Sequence, residues 1–369
     1  MIKIFYDYKI FYNQKYGGPS RYFLSLINSV IKKGNKCLIN SPVYYNEYLK
    51  MVSLFKPEIV NGKFLSKRLR YTTKILELYN YLITSKNLNF KNKFDVYHPT
   101  YYGKSILNFK KIPTVLTVHD LIHEKFNKNI RLKSINNKID LIKKADKIIC
   151  VSKHTQNDLI NIYNINKNKT VVIYPGVENI FINKDKDRVQ LKLNPYILYV
   201  GTRNKYKNYQ NFLKAFMISN KLKNDFKIVF FGGGNFTKIE QNYFVEIGIK
   251  KNNIDYYEGD DNVLKQFYLN ASALIYPSLY EGFGSVPLEA MNFGCPVVSS
   301  NASCLPEVQG NGSLKFDPNS IEDIKSKLED ILYSEELKKK QVKLGNERVK
   351  KFTWEECANQ TISTYKNII

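Results

Sequence analysis

Short apolar runs alternate along the chain with stretches whose apolar residues recur every three or four positions. These are the periods of buried strands and of helices with one core-facing stripe. The run Ile2 to Tyr6 opens the series. A loop ending in YGGPSRYF follows, and Tyr22, Phe23, Leu26, Ile27, Val30 and Ile31 then fall at helical spacing up to Gly34. Similar strand-then-helix patterns appear at 145–160, at 196–216 and at 254–272, with strands also at 94–98, 111–118, 171–174 and 227–231. Residues 321–351 read as strongly helical, and 352–365 as a last helix. The alternation predicts an α/β chain with parallel sheets, and 369 residues suffice for two cores.

The stretch 64–87 reads as one amphipathic helix. Leu65, Leu69, Ile75, Leu76, Tyr79, Leu82 and Ile83 can line a stripe, and Lys67, Arg68, Arg70 and Lys74 cluster at its start. Two readings stand side by side: a core-facing helix with a solvated basic side, or an interfacial helix. With the preceding MVSLF, it is the candidate for contact with a membrane or a lipid-linked acceptor.

The most informative stretch is ALIYPSLYEGFGSVPLEAMNFGCPVV, residues 273–298. It reads as strand, loop, helix and strand. Pro277 ends the first strand, Pro287 suits the first helical turn and Gly294 the C-terminal cap. Gly282 and Gly284 let backbone approach a ligand closely, and N–H groups at a helix start favour an anion. Glu281 on the loop and Glu289 in the first helical turn, with seven residues between, can grip two hydroxyl-bearing groups of one extended ligand. The competing reading is a dipole-compensating Glu289 and a solvated Glu281.

Composition narrows the class. Apolar residues make up 43% of the chain, which excludes a disordered one, and the formal net charge of +24 implies an acidic partner. Nucleic acid, anionic lipid and a phosphorylated substrate all qualify, but no zinc-finger, RNP or homeodomain signature is present, so nucleic acid is not expected. The five scattered cysteines form no CxxC pair and read as buried thiols of a reducing cytoplasm. No signal peptide or membrane-length apolar run is read from the sequence. His119 and His123 lack a third partner for a metal, so none is expected.

EGFGSVPLEA resembles the E-x7-E signature of retaining GT-B glycosyltransferases, in particular family 4, and YPSLY and GCPVVSSNASCLPEV around it fit the same pattern. The resemblance spans nearly the whole chain. It implies two Rossmann-like domains with a cleft between them and a C-terminal helix crossing back to the first domain. The expected boundaries are 1–177 with 353–369 for the acceptor-side domain, and 178–352 for the nucleotide-sugar domain. It further implies that Glu281 meets the donor sugar hydroxyls and Glu289 the ribose, with Gly282, Phe283, Gly284 and Ser285 holding sugar and diphosphate. GTRNKYKN resembles the family stretch whose basic residues neutralise the leaving diphosphate, which assigns Arg203 and Lys207. Gly17 and Gly18 correspond to the loop facing the diphosphate, a plain strand-to-helix turn being the alternative. VHDL resembles the segment whose histidine lies beside the donor sugar, which assigns His119; Asp120, His98, Tyr101 and Tyr102 are acceptor-side candidates.

The implied reaction is transfer of a hexose, mannose from GDP-mannose as first choice, to a hydroxyl of a lipid-linked glycan in O-antigen, capsule or lipopolysaccharide assembly. It would proceed with retention, by front-face attack, without metal or other cofactor, on the cytoplasmic face of an anionic membrane. The competing readings are a sugar-nucleotide epimerase of the same fold, and a basic nucleic-acid-binding or scaffold protein.

Overall fold

A computed structural model describes residues 1–67, 71–90, 94–103, 112–126, 132–177, 189, 191 and 193–369. The chain forms two compact units, Met1–Gly176 with Thr353–Ile369, and Val177–Phe352. In the first unit the order is β1 (Lys3–Tyr6), α1 (Lys9–Asn13), α2 (Gly18–Lys32), β2 (Lys36–Tyr44), α3 (Glu47–Phe55), β3 (Val60–Phe64), α4 (Thr73–Phe90), β4 (Val96–His98), β5 (Val115–Val118), α5 (Ile122–Phe126), α6 (Leu132–Lys144), β6 (Lys147–Cys150), α7 (Lys153–Tyr163) and β7 (Thr170–Val172). All strand pairs are parallel. The sheet β3-β2-β1-β4 meets the sheet β5-β6-β7 through the bridge between Tyr97 and Thr114. The resulting order, 3-2-1-4-5-6-7, contains the doubly wound Rossmann order.

The second unit repeats that plan. Its elements are β8 (Tyr196–Val200), α8 (Tyr209–Ile218), α9 (Asn220–Asp225), β9 (Lys227–Phe231), α10 (Lys238–Glu246), β10 (Ile254–Tyr257), α11 (Asp261–Asn270), β11 (Ala273–Tyr276), α12 (Ser285–Asn292), β12 (Val297–Ser300), α13 (Leu305–Gln309), β13 (Leu314–Phe316), α14 (Ile321–Tyr333) and α15 (Glu335–Val349). The sheet order is β10-β9-β8-β11-β12-β13, again parallel. Ile197, Phe212, Leu213, Phe216, Ile228, Phe230 and Leu328 are among the fully buried side chains of its core. Burial of each such side chain contributes ~1.5–3 kcal/mol.

The final helix, α16 (Trp354–Lys366), belongs to the first unit and packs on α2. Trp354 meets Tyr22 edge-on at 5.7 Å, and Tyr365 reaches Tyr6 and His98 with its hydroxyl. Gly176 makes this return possible, since a Cβ there would lie 2.5 Å from the Trp354 backbone nitrogen.

The structure redraws some sequence expectations. The helix expected over 64–87 begins later than the sequence suggests: Phe64 closes the strand Val60–Phe64, and the helix runs from Thr73 to Phe90. Arg68, Leu69 and Arg70, the linker run at 183–188 and residue 178 lie outside the described residues. Residues 321–351 divide at Ser334, whose hydroxyl caps α15 through Leu337 N. No described helix is long and apolar enough to cross a membrane.

Candidate active site

In the second unit the chain leaves β8 toward β9 and β10, but leaves β11 toward β12 and β13. Parallel sheets bind ligands at the carboxyl ends of strands beside such a reversal. β8 runs into Gly201, and β9 into Gly232, Gly233 and Gly234, all with positive φ. A Cβ on Gly233 would stand 2.6 Å from the Gly201 carbonyl oxygen, so the two loops approach backbone to backbone.

After β8 a single helical turn, Lys205–Lys207, delivers Lys207 to the loop after β11. The Leu279 N–H donates to the Tyr206 carbonyl at 2.8 Å and ties the loops together. Lys207 Nζ then lies 2.7 Å from Glu281 Oε1 and 3.3 Å from the Tyr276 hydroxyl. Glu281 is 7% exposed, and its own N–H donates to Ser303 Oγ at 3.0 Å. Ser303 holds φ +54, a left-handed conformation uncommon for serine, and so marks a constrained loop. Burial and the Glu281 carboxylate keep the Tyr276 hydroxyl protonated, well above its ordinary pKa.

Gly284 has φ +72 and precedes α12 with no side-chain cap on the first helical N–H groups. Ser285 is the first helical residue. Because the helix starts there and not nearer Pro287, Glu289 sits one turn in, beyond the first turn expected from sequence. It is 7% exposed and accepts from the Tyr268 hydroxyl at 3.3 Å. Gly282 is buried, and the Phe283 ring packs edge-on against Phe352 at 5.7 Å.

Arg203 differs from its expected role. Its side chain is 3% exposed and pairs with Glu240 at 2.5 Å. It also donates to the carbonyls of Gly232, Gly234 and Asn235, against the Phe236 ring. A planar five-donor group fits this nest of carbonyls, and so buttresses the glycine turn instead of facing an anion. Asn208 marks the start of α8 but caps nothing; its amide donates to the Pro318 carbonyl at 2.7 Å.

The first-unit candidates have a different character. Gly17 is extended, and Gly18 opens α2 in open space, where a Cβ would meet no heavy atom within 4 Å, so neither is required by conformation there. His119 follows β5 and stands edge-on to Tyr22 at 5.0 Å and Phe23 at 5.9 Å. Its Nε2 is buried with no hydrogen-bond partner among the described residues. Burial, and then the Lys138 charge, lower its pKa to about 3, so the ring is neutral. The His119 N–H donates to the Tyr102 hydroxyl at 3.3 Å. Lys138 lies over the Tyr102 ring, donates to the Asp120 carbonyl at 2.9 Å and pairs with Glu124 at 2.8 Å. Asp120 itself turns the loop by accepting from Ile122 N, and burial raises its pKa. Tyr101 packs on Tyr102 at 4.8 Å, and burial followed by the Asp120 charge pushes its hydroxyl up to about 12.

His98 is corrected outright. It is fully buried, with Nδ1 at 2.7 Å from the Tyr365 hydroxyl and Nε2 at 2.9 Å from Thr117 Oγ1. Both nitrogens are engaged within the core, and burial holds its pKa at about 3, so it cannot meet an acceptor. Ser303, Tyr276, Glu240 and Lys138 escaped the sequence reading. Only Glu240 left a signal, the Thr237-x-x-Glu240 capping box seen in the structure.

A family model described as Glycosyltransferase Family 4 matches residues 16–179, and one described as Glycosyl transferases group 1 matches residues 182–348. The chain is 29% identical over 289 residues to O-antigen chain mannosyltransferase B of Escherichia coli, covering 73% of this chain and 74% of that one. A match of 29% identity to the O-antigen chain mannosyltransferase RfbU of Salmonella typhimurium spans 52% of each chain, about half of that relative's length. Among solved structures, sucrose-phosphate synthase from Thermosynechococcus elongatus superposes with TM-score 0.76 at 18% identity, covering 99% of this chain and 98% of that one. Anabaena HepE in complex with UDP-glucose gives 0.73 at 15%, covering all of both chains.

Proposed function

The chain belongs to the GT-B glycosyltransferases that join a family 4 half to a group 1 half, and from that premise we propose that it transfers a hexose from a nucleotide sugar to a hydroxyl of a lipid-linked glycan, with retention at the anomeric carbon. The observation that carries this reading is the Lys207–Glu281 pair, 2.7 Å apart beside the strand-order reversal and two glycine-rich turns. A diphosphate needs the cation and backbone amides, and a sugar needs the carboxylate as acceptor. Glu281 receives sugar hydroxyls, Glu289 the ribose, and Lys207 with the N-terminus of α12 carries the charge that grows on the leaving diphosphate. Arg203 holds the Gly232–Gly234 turn in place.

In this reading the bond from C1 to the donor phosphate breaks as the acceptor oxygen bonds C1 from the same face. The acceptor proton passes to the departing phosphate oxygen, and a nucleoside diphosphate leaves. The neutral His119 ring is suited to hydrogen-bond a sugar without adding charge near an oxocarbenium-like centre. Similarity to O-antigen mannosyltransferases favours mannose and GDP-mannose as the first donor to try, with UDP-hexoses next. Lysine charge in place of a metal predicts an EDTA-insensitive rate. The proposed setting is the inner face of an anionic membrane.

The test is transfer from a panel of labelled nucleotide sugars to isolated lipid-linked glycan, with the product anomer read by NMR. A product keeping the donor's anomeric configuration supports the reading; inversion overturns its mechanism, and no transfer from any sugar nucleotide overturns the reading itself.

A further inference from the structure

Helix α4 packs Leu76, Tyr81 and Leu88 against the core but carries a second apolar stripe outward. Asn80 and Thr84, one turn apart, are fully buried. Ile75, Leu78, Tyr79 and Leu82 follow the i, i+3, i+4, i+7 spacing of a single helix face, and are 67%, 56%, 48% and 56% exposed. The inward polarity has a cause. The pairing of β2 with β3 shifts register between Asn40 and Val43, which leaves backbone groups of β2 to be satisfied. Asn80 accepts from Val43 N at 2.8 Å and donates to Val43 O at 2.9 Å, and Thr84 bonds Asn40 Oδ1 at 3.2 Å.

The outward stripe has no such cause among the described residues. Helix packing normally leaves a polar face to water, and here the buried face mixes Asn80 and Thr84 with Leu76, Tyr81 and Leu88 while the outer face is apolar. Lys74 and Lys86 are exposed on the same helix, while its one carboxylate, Glu77, is held by Lys9. The chain as a whole carries +24. An apolar stripe with a tyrosine ring, lysines at both ends and no competing acid is the chemistry of an interfacial helix, whose lysine stems lie along the apolar surface while the ammonium groups reach lipid phosphates.

We propose that the outward face of α4 docks the enzyme on an anionic bilayer, with Ile75, Leu78, Tyr79 and Leu82 in the headgroup–acyl boundary and Lys74 and Lys86 on lipid phosphates. The inference rests on the reading of the acceptor as lipid-linked and assigns the surface that meets that lipid.

The experiment is flotation of the full chain with phosphatidylcholine vesicles, with and without phosphatidylglycerol. Wild type is expected to float with the anionic vesicles. The double variant Leu78→Gln/Leu82→Gln is expected to lose at least ~10-fold in partitioning, and Lys74→Gln/Lys86→Gln about fivefold per lysine on anionic vesicles only. These side chains are exposed, so both variants should keep the wild-type melting temperature and nucleoside-diphosphate binding. Unchanged flotation of the leucine variant overturns the docking face, as does a wild type that never floats. A wild type that sediments as a dimer, with the leucine variant monomeric, makes the stripe a self-association surface and also overturns it. Failure of wild type to bind any nucleoside diphosphate would instead strike the transferase reading, whatever the vesicles show.

Discussion

At the carboxyl ends of β8 and β11 a lysine and a glutamate pair directly, beside glycine turns that only glycine can make. At the carboxyl ends of β4 and β5, in the other unit, stand two histidines held neutral by burial and surrounded by aromatic rings. The two units share the strand order 3-2-1-4-5-6, but β8 and β11 flank the point where that order reverses, whereas β4 and β5 both lie to one side of it. The dielectric character of the loops also differs. One end holds formal charge, the Lys207–Glu281 ion pair. The other holds its two histidine rings uncharged, His98 with both nitrogens engaged in the core and His119 with Nε2 unpartnered among the described residues.

The comparison is broken most forcefully at the charged end. Glu281→Gln or Lys207→Met should lower kcat/KM by roughly 100-fold or more, the scale of losing one preorganised group aimed at developing charge, and Lys207→Met, which strands the buried Glu281, should lower the melting temperature as well. A loss under about threefold in a steady-state assay would mean that the pair is structural.

Arg203 sharpens the distinction between contact and support. Arg203→Met strands Glu240 in a site where its partner was 3% exposed, and should cost about 3 kcal/mol in urea unfolding. The loosened glycine turn should raise KM for the donor more than it lowers kcat. A large kcat loss at full stability would place Arg203 on the reacting atoms instead.

The neutral end is tested by acid. A histidine with a folded pKa of about 3 and an ordinary value near 6.5 contributes stability that is fully present above about pH 6.5 and is lost as pH falls toward about 3. The urea midpoint should therefore drop between about pH 7 and about pH 5, and His98→Gln, which can keep polar partners, should flatten that drop. In the same window no histidine ionisation should appear in kcat. The smallest effect is expected for Tyr102→Phe, which removes the acceptor for the His119 N–H. A fall of about threefold in kcat, with stability within ~1 kcal/mol, would be consistent with the modest worth of one neutral hydrogen bond.

Much of this is legible in the sequence. The parallel α/β architecture follows from alternating apolar periods, and the Glu281 loop, the α12 start and Gly294 at its end lie in one continuous stretch where local signals agree. Side-chain destinations are less legible. Arg203 and Lys207 are four residues apart and chemically alike, yet Glu240, brought in by α10, draws one of them into a carbonyl nest. His98 sits at a strand end like His119, but its partner Tyr365 comes from the far end of the chain. The helix expected over 64–87 holds from Thr73 onward and fails at its start, where Phe64 ends a strand, and nothing in the sequence signals that its Asn80 turns inward to bond β2.

The most direct test of the central claim is a metal-free thermal-shift panel with GDP, UDP, dTDP and ADP on wild type, Lys207→Met and Glu289→Ala. A ligand that binds only the native state raises the melting temperature in proportion to its affinity. The account predicts a shift with one diphosphate that both variants abolish. An equal shift in all three proteins, or none with any diphosphate in wild type, would contradict it.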